Sequence, residues 1–188
     1  MIYTTPKFVQ KTTSKFHQAF PLIVYEKELP GFLSLLYKGF DDAKFDNTTG
    51  RITGELNGKV LVHQDIRLEP FFKALKKSVR EYLEHFSIDK STYEINFVKT
   101  WFTICDPGQH FPAHYHSRSH ISYVYYIQTP GDPLILHKKN PNEWFGDAFK
   151  LIKENGYCNG DGYVITPKAE HLVIFPGSLE HYTTPDDR

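Results

Sequence analysis

Two textures of apolar spacing divide the chain. From about Pro70 to Phe86 the apolar residues Phe72, Leu75, Val79, Leu83 and Phe86 recur every three or four positions, the period of a helix with one buried face. Pro70 suits the first helical position, and Glu69 complements the positive end of the helix dipole. A shorter helix is expected after Pro30-Gly31, over Phe32 to Tyr37. Beyond about residue 92 the pattern changes to short β-branched and aromatic runs. Strands are expected over Ile95–Ile104, His120–Gln128, Pro133–Lys139, Tyr163–Thr166, His171–Phe175 and Tyr182–Thr184. Asp106-Pro107-Gly108, Thr129-Pro130-Gly131-Asp132, Asn159-Gly160-Asp161-Gly162 and Pro176-Gly177 punctuate them with turn chemistry.

The first part of the chain is less regular. Residues 1–18 are polar and read as a first strand or an arm, and Phe20–Tyr25 reads as a strand. Residues 46–58 carry Asn47, Gly50, Gly54 and Gly58 and read as a loop or hairpin. Residues 140–157 form the longest excursion, with Trp144, Phe149, Leu151 and Ile152. Helices followed by many short strands predict an α+β domain built on a β-sandwich or jelly roll. With no linker evident, residues 1–188 read as a single domain, with helical support over about 20–92 and a β-barrel over about 93–188.

Charge narrows the function classes. Lys plus Arg and Asp plus Glu each total 22, so no basic surface favours nucleic acid. The short basic clusters at Lys76-Lys77 with Arg80, and at Lys138-Lys139, read as solvated faces. Fifteen Phe and twelve Tyr suit a β-rich core. Cys105 and Cys158 match no paired-cysteine redox or zinc spacing. The N-terminus lacks a basic-then-apolar signal pattern, and no apolar run is long enough for a membrane span. A cytoplasmic setting is expected, the host cytoplasm if the chain is viral.

Chemistry concentrates in Gly108-Gln109-His110-Phe111-Pro112-Ala113-His114-Tyr115-His116 and in Phe175-Pro176-Gly177-Ser178-Leu179-Glu180-His181. Residues two apart on a strand point the same way, so His114 and His116 can converge, and His181 can close the site from a distant strand. Imidazole is the common ligand for iron, zinc, copper and nickel. A metal site is therefore predicted. His110 reads as a loop residue, and His120 as a strand opener able to line the pocket. His17, His63, His85, His137 and His171 read as surface or core histidines.

From about Phe20 onward the chain resembles the 2-oxoglutarate/Fe(II)-dependent oxygenases of phages and marine bacteria, relatives of the prolyl hydroxylases. The resemblance rests on Trp101, Gly108, His114-Tyr115-His116, Ser122-Tyr123-Val124-Tyr125-Tyr126 and Phe175-Pro176-Gly177-Ser178-Leu179-Glu180-His181 with Pro185, in that order. It implies a double-stranded β-helix with Fe(II), and 2-oxoglutarate chelating the metal. O2 then serves to hydroxylate an unidentified small-molecule or protein substrate. By this match His114 is the first ligand and His181 the last, while His116 stands where most such enzymes carry Asp. Either His116 is a third nitrogen ligand, or it turns away and water fills its place. Tyr126 matches the family tyrosine that contacts the far carboxylate of 2-oxoglutarate. The family arginine falls about ten residues past the last histidine, and here only Arg188 follows. Arg188 then serves from a shortened loop, or a longer chain carries the arginine; failing both, Arg118 or Lys99 would supply the cation.

Two other readings compete. Gly108-x5-His114-x-His116 also fits the opening of the cupin metal motif, but Ser119, His120 and Ile121 stand around the position of its glutamate, and Pro176-Gly177-x3-His181 departs from its second half. A cupin could be an isomerase or a dioxygenase that needs no 2-oxoglutarate. The last reading is a non-catalytic jelly-roll module for binding or structure.

Overall fold

The computed structural model describes residues 22–43, 45, 51–53, 55–56, 60–105, 108–128, 133–137 and 162–184. The expectations for residues 1–18 and 140–157, and for Cys158, Lys138-Lys139, Pro185 and Arg188, lie outside these residues. Two α-helices and ten strands are present among the described residues. In chain order they are β1 (Tyr25–Glu28), α1 (Leu33–Asp41), β2 (Arg51–Thr53), β3 (Glu55–Leu56), β4 (Val60–Leu61) and α2 (Glu69–His85). There follow β5 (Phe102–Ile104), β6 (Ile121–Tyr125), β7 (Leu134–His137), β8 (Gly162–Ile165), β9 (His171–Pro176) and β10 (Glu180–Thr183). All pairings are antiparallel. There are two three-stranded sheets, β1-β9-β6 and β10-β7-β8, and two separate two-stranded pairs, β2-β5 and β3-β4. The mixed class of helices and antiparallel sheets is as the sequence implies.

Strand alternation sorts the side chains of the β1-β9-β6 sheet between two cores. Tyr25, Tyr123, Tyr125, Leu172 and Ile174 join a cluster with Leu36, Leu68, Phe71, Phe72 and Leu75, so this face is covered by the helices. Val24, Val124, Tyr126, Val173 and Phe175 point the other way and pack with Leu134, Leu136 and Ile165 of the second sheet, and with Leu179. β9 is the central strand and is buried on both faces, with Leu172 to Phe175 all at 0% exposure. That explains its unbroken apolar run, His171-Leu172-Val173-Ile174-Phe175.

The helices fall close to their expected bounds. α2 starts at Glu69 with Pro70 in its first turn, and it buries Phe71, Phe72, Leu75, Ser78, Val79 and Tyr82. Phe86, expected on that stripe, lies just beyond the helix and is 45% exposed. Phe71 takes a place that the sequence stripe omitted, its ring 5.0 Å from Tyr125. α1 runs four residues past the expected Tyr37, to Asp41. Glu81 of α2 fastens the helix to β1, accepting from the Tyr25 hydroxyl at 2.6 Å and from the Lys27 ammonium at 2.8 Å.

Several strands are shorter or shifted. Only Phe102–Ile104 of the expected Ile95–Ile104 forms a ladder. Ile95 and Phe97 pack instead against the helical cluster, with the Phe97 ring 4.9 Å from Phe72; apolar burial there needs no strand partner. Of the expected Phe20–Tyr25 strand, Phe20 and Pro21 lie outside the described residues, and the ladder among the rest begins at Tyr25, paired with Ile174. Glu55 and Leu56 of β3 pair antiparallel with Leu61 and Val60 of β4. No helix among the described residues is long and apolar enough to cross a membrane.

Candidate metal centre

The His114–His116 segment is held against β10 and the turn before it by backbone hydrogen bonds. His114 is not in a strand but makes an isolated antiparallel bridge with His181. The His114 amide donates to the His181 carbonyl at 3.0 Å, and the His181 amide donates back at 2.9 Å. Residues exchanging both bonds lie directly opposite and share a face. Three residues toward the N-terminus, the Phe111 amide donates to Thr183 Oγ1 at 2.8 Å, and the Thr183 amide to the Phe111 carbonyl at 3.1 Å. On the other side, the His116 amide donates to the Gly177 carbonyl at 2.8 Å. The segment is thus stitched to both ends of the turn before His181.

Glycine is required at two of these places. Gly108 opens the segment with a φ of +80°, the left-handed region that side chains disfavour. At Gly177 the constraint is space, since a Cβ would run into the Ser119 carbonyl oxygen. The Gly177 amide also donates to the His120 carbonyl at 3.0 Å. The Pro-Gly turn therefore sits tightly under the 116–120 segment.

The three imidazoles converge as the spacing predicts. One nitrogen from each of His114, His116 and His181 can be chosen so that all lie within 4.8 Å of one another. Ring centroids are 4.3 Å apart for His114 and His181, 5.2 Å for His114 and His116, and 5.1 Å for His116 and His181. His114 Nδ1 lies 2.8 Å from the Pro112 carbonyl and His181 Nδ1 lies 2.9 Å from the Leu179 carbonyl. A carbonyl can only accept, so Nδ1 carries the proton in each ring and Nε2 keeps its lone pair. Both carbonyls come from the residue two before the histidine, a local signal that the sequence carried unread.

Burial keeps two of the rings neutral. His181 is 5% exposed; burial pushes its imidazole down to about 4, and the charges of His114 and His116 push the same way. His116 is lowered chiefly by burial, then by His114 and by Lys99. A histidine that resists protonation near neutral pH is a competent metal ligand. The donor set, the ring orientation and the burial all fit a metal ion.

Other candidates fall elsewhere. Tyr126 lies just past β6, directly opposite His171, and packs into the interior cluster between the sheets. Burial, then the Glu26 charge, push its phenol well above the usual range, so it remains a hydrogen-bond donor. His171 is buried as expected, with Nε2 3.3 Å from Glu26 Oε2. His120 and His110 are exposed. His110 borders a cleft of about 290 Å³ lined also by Phe111, Pro112, Ala113, Tyr182, Thr183 and Thr184. The sequence reading assigned no site role to Trp101 beyond its place in the motif, yet its ring lies 5.5 Å from His116.

The helix-backed antiparallel sheets define a class of fold. A solved prolyl-4-hydroxylase from Pseudomonas putida shares it, with a TM-score of 0.53 and 16% identity over 88% of this chain and 86% of that one. Residues 99–188, which contain all three histidines, match the family described as "Putative 2OG-Fe(II) oxygenase". Residues 99–188 are thus similar to the 2-oxoglutarate/Fe(II) oxygenases, and the fold is similar to that of a prolyl-4-hydroxylase. No curated protein matches the sequence.

Proposed function

We propose that the protein is a 2-oxoglutarate-dependent hydroxylase in which His114, His116 and His181 hold Fe(II). The convergence of the three imidazoles carries this reading. When bound, Fe(II) and 2-oxoglutarate would supply the oxidising chemistry that places an oxygen atom from O2 on a substrate carbon, with loss of CO2 from the co-substrate. The chain's own part is to fix three neutral nitrogens on one side of the ion and leave the opposite positions open. The carbonyls of Pro112 and Leu179 orient two of the rings, and Phe175, with its ring 4.9 Å from His181, shields the site from inside.

In this reading Tyr126 donates its phenolic proton to the far carboxylate of 2-oxoglutarate, and Arg188 supplies the countercharge. Support comes from the placement of Tyr126 on the same interior face of the sheet as Val124 and Phe175. The two three-stranded sheets are read as the halves of a jelly roll, and residues 1–188 as one domain. The test is an assay of 2-oxoglutarate turnover with Fe(II), O2 and a panel of peptides and free acids. Succinate is expected to form only with metal and oxygen together, and His114→Ala is expected to abolish it. Stoichiometric iron binding without consumption of 2-oxoglutarate under any of these conditions would overturn the reading.

A further inference from the structure

Lys99 and Trp101 add a charge to the rim of the histidine centre. Lys99 is exposed, and its ammonium lies over the Trp101 ring, 5.7 Å from the centroid. The same indole is 5.5 Å from the His116 ring. Cation–π contact restrains the ammonium there. No carboxylate among the described residues pairs with it. Glu180 adjoins His181 in sequence, but its carboxylate is held by His137 Nδ1 at 2.9 Å on the neighbouring strand β7.

Lys99 holds its charge open at the rim, above an indole that itself contacts His116. We infer that the substrate hydroxylated here carries a carboxylate, bound by Lys99 above the Trp101 indole at the rim of the histidine centre. The inference rests on the co-substrate reading above. Lys99 is set apart from the co-substrate's own carboxylate, because Tyr126 lies in the interior cluster between the sheets whereas Lys99 is at the surface. A lone lysine offers one positive charge, which a carboxylate balances and a doubly charged phosphate exceeds.

The test measures binding to protein loaded with Mn(II) and 2-oxoglutarate without oxygen, by tryptophan emission and by calorimetry. The probes are hexanoate, hexanamide, hexylamine, inorganic phosphate and the blocked peptide acetyl-Ala-Asp-Ala-amide. Hexanoate or the aspartyl peptide is expected to bind at least about tenfold more tightly than hexanamide, the scale of a charge-assisted hydrogen bond. Which of the two binds tells whether the carboxylate belongs to a small acid or to a protein side chain. Lys99→Met is expected to erase the preference while leaving metal and 2-oxoglutarate affinities as they were. Equal binding of acid and amide, no binding of either acid, preference for the amine or phosphate, or a preference that survives Lys99→Met would overturn the inference. So would a Lys99→Met variant that loses 2-oxoglutarate affinity instead. If 2-oxoglutarate fails to bind the Mn(II)-loaded wild type, the co-substrate reading itself falls, and the inference with it.

Discussion

Tyr126 and His181 are the residues whose environments do most to set their chemistry. The Tyr126 phenol is buried and held protonated, which suits a donor to an anion. Tyr126→Phe is expected to weaken 2-oxoglutarate binding by about 1 kcal/mol or more, the scale of a hydrogen bond to a charged group; calorimetry on the metal-loaded protein measures it, and unchanged affinity would remove Tyr126 from the site. His181 titrates at about 4 when folded against 6.5 as the ordinary value. As pH falls below 6.5, the unfolded chain takes up this proton before the folded one does. The stability of the metal-free protein is therefore full above about 6.5 and declines as pH falls toward 4. His116 and His63, both lowered chiefly by burial, act in the same direction. Thermal unfolding of metal-free protein between these pH values is expected to show a falling Tm, and His181→Gln is expected to flatten the slope.

At the scale of elements, the turn between β9 and β10 aims the last histidine. Gly177 lies against Ser119 so closely that a Cβ has no room, and its carbonyl holds the His116 amide. Gly177→Ala is expected to cost about 1–3 kcal/mol by overpacking and to lower metal affinity, while the far-ultraviolet helix signal of α2 is retained. Metal titration beside circular dichroism separates the two effects; unaltered metal binding would show that the turn does not position the ligands. Much of this was legible from the chain. The Pro176-Gly177 pair marked the turn, and the two-residue spacing of His114 and His116 placed them on one side. What local pattern could not show was the means. His114 is positioned by a single bridge to a residue 67 places later in the chain, not by a strand of its own. The sequence offered Lys99 as a fallback cation for 2-oxoglutarate, and its nearness to His116 depends on tertiary packing through Trp101.

For the whole molecule, the division of β9 between two cores explains why the layering of helices on antiparallel strands was legible in periodicity. Its alternate residues meet helices on one side and the second sheet on the other, so helix stripes and strand runs reported the same layering. Strand limits were less legible, since Ile95 and Phe97 satisfy the apolar pattern by packing on α2 without a ladder. The central claim is that this layered scaffold holds a metal on three imidazoles and that 2-oxoglutarate binds only to the metal-loaded centre. Anaerobic calorimetry of 2-oxoglutarate into Fe(II)-loaded protein, metal-free protein and the His181→Ala variant tests it directly. One equivalent of 2-oxoglutarate is expected to bind the Fe(II)-loaded wild type, with no binding in the other two. Fe(II) bound at full occupancy with no heat from 2-oxoglutarate, or equal binding with and without metal, would contradict it.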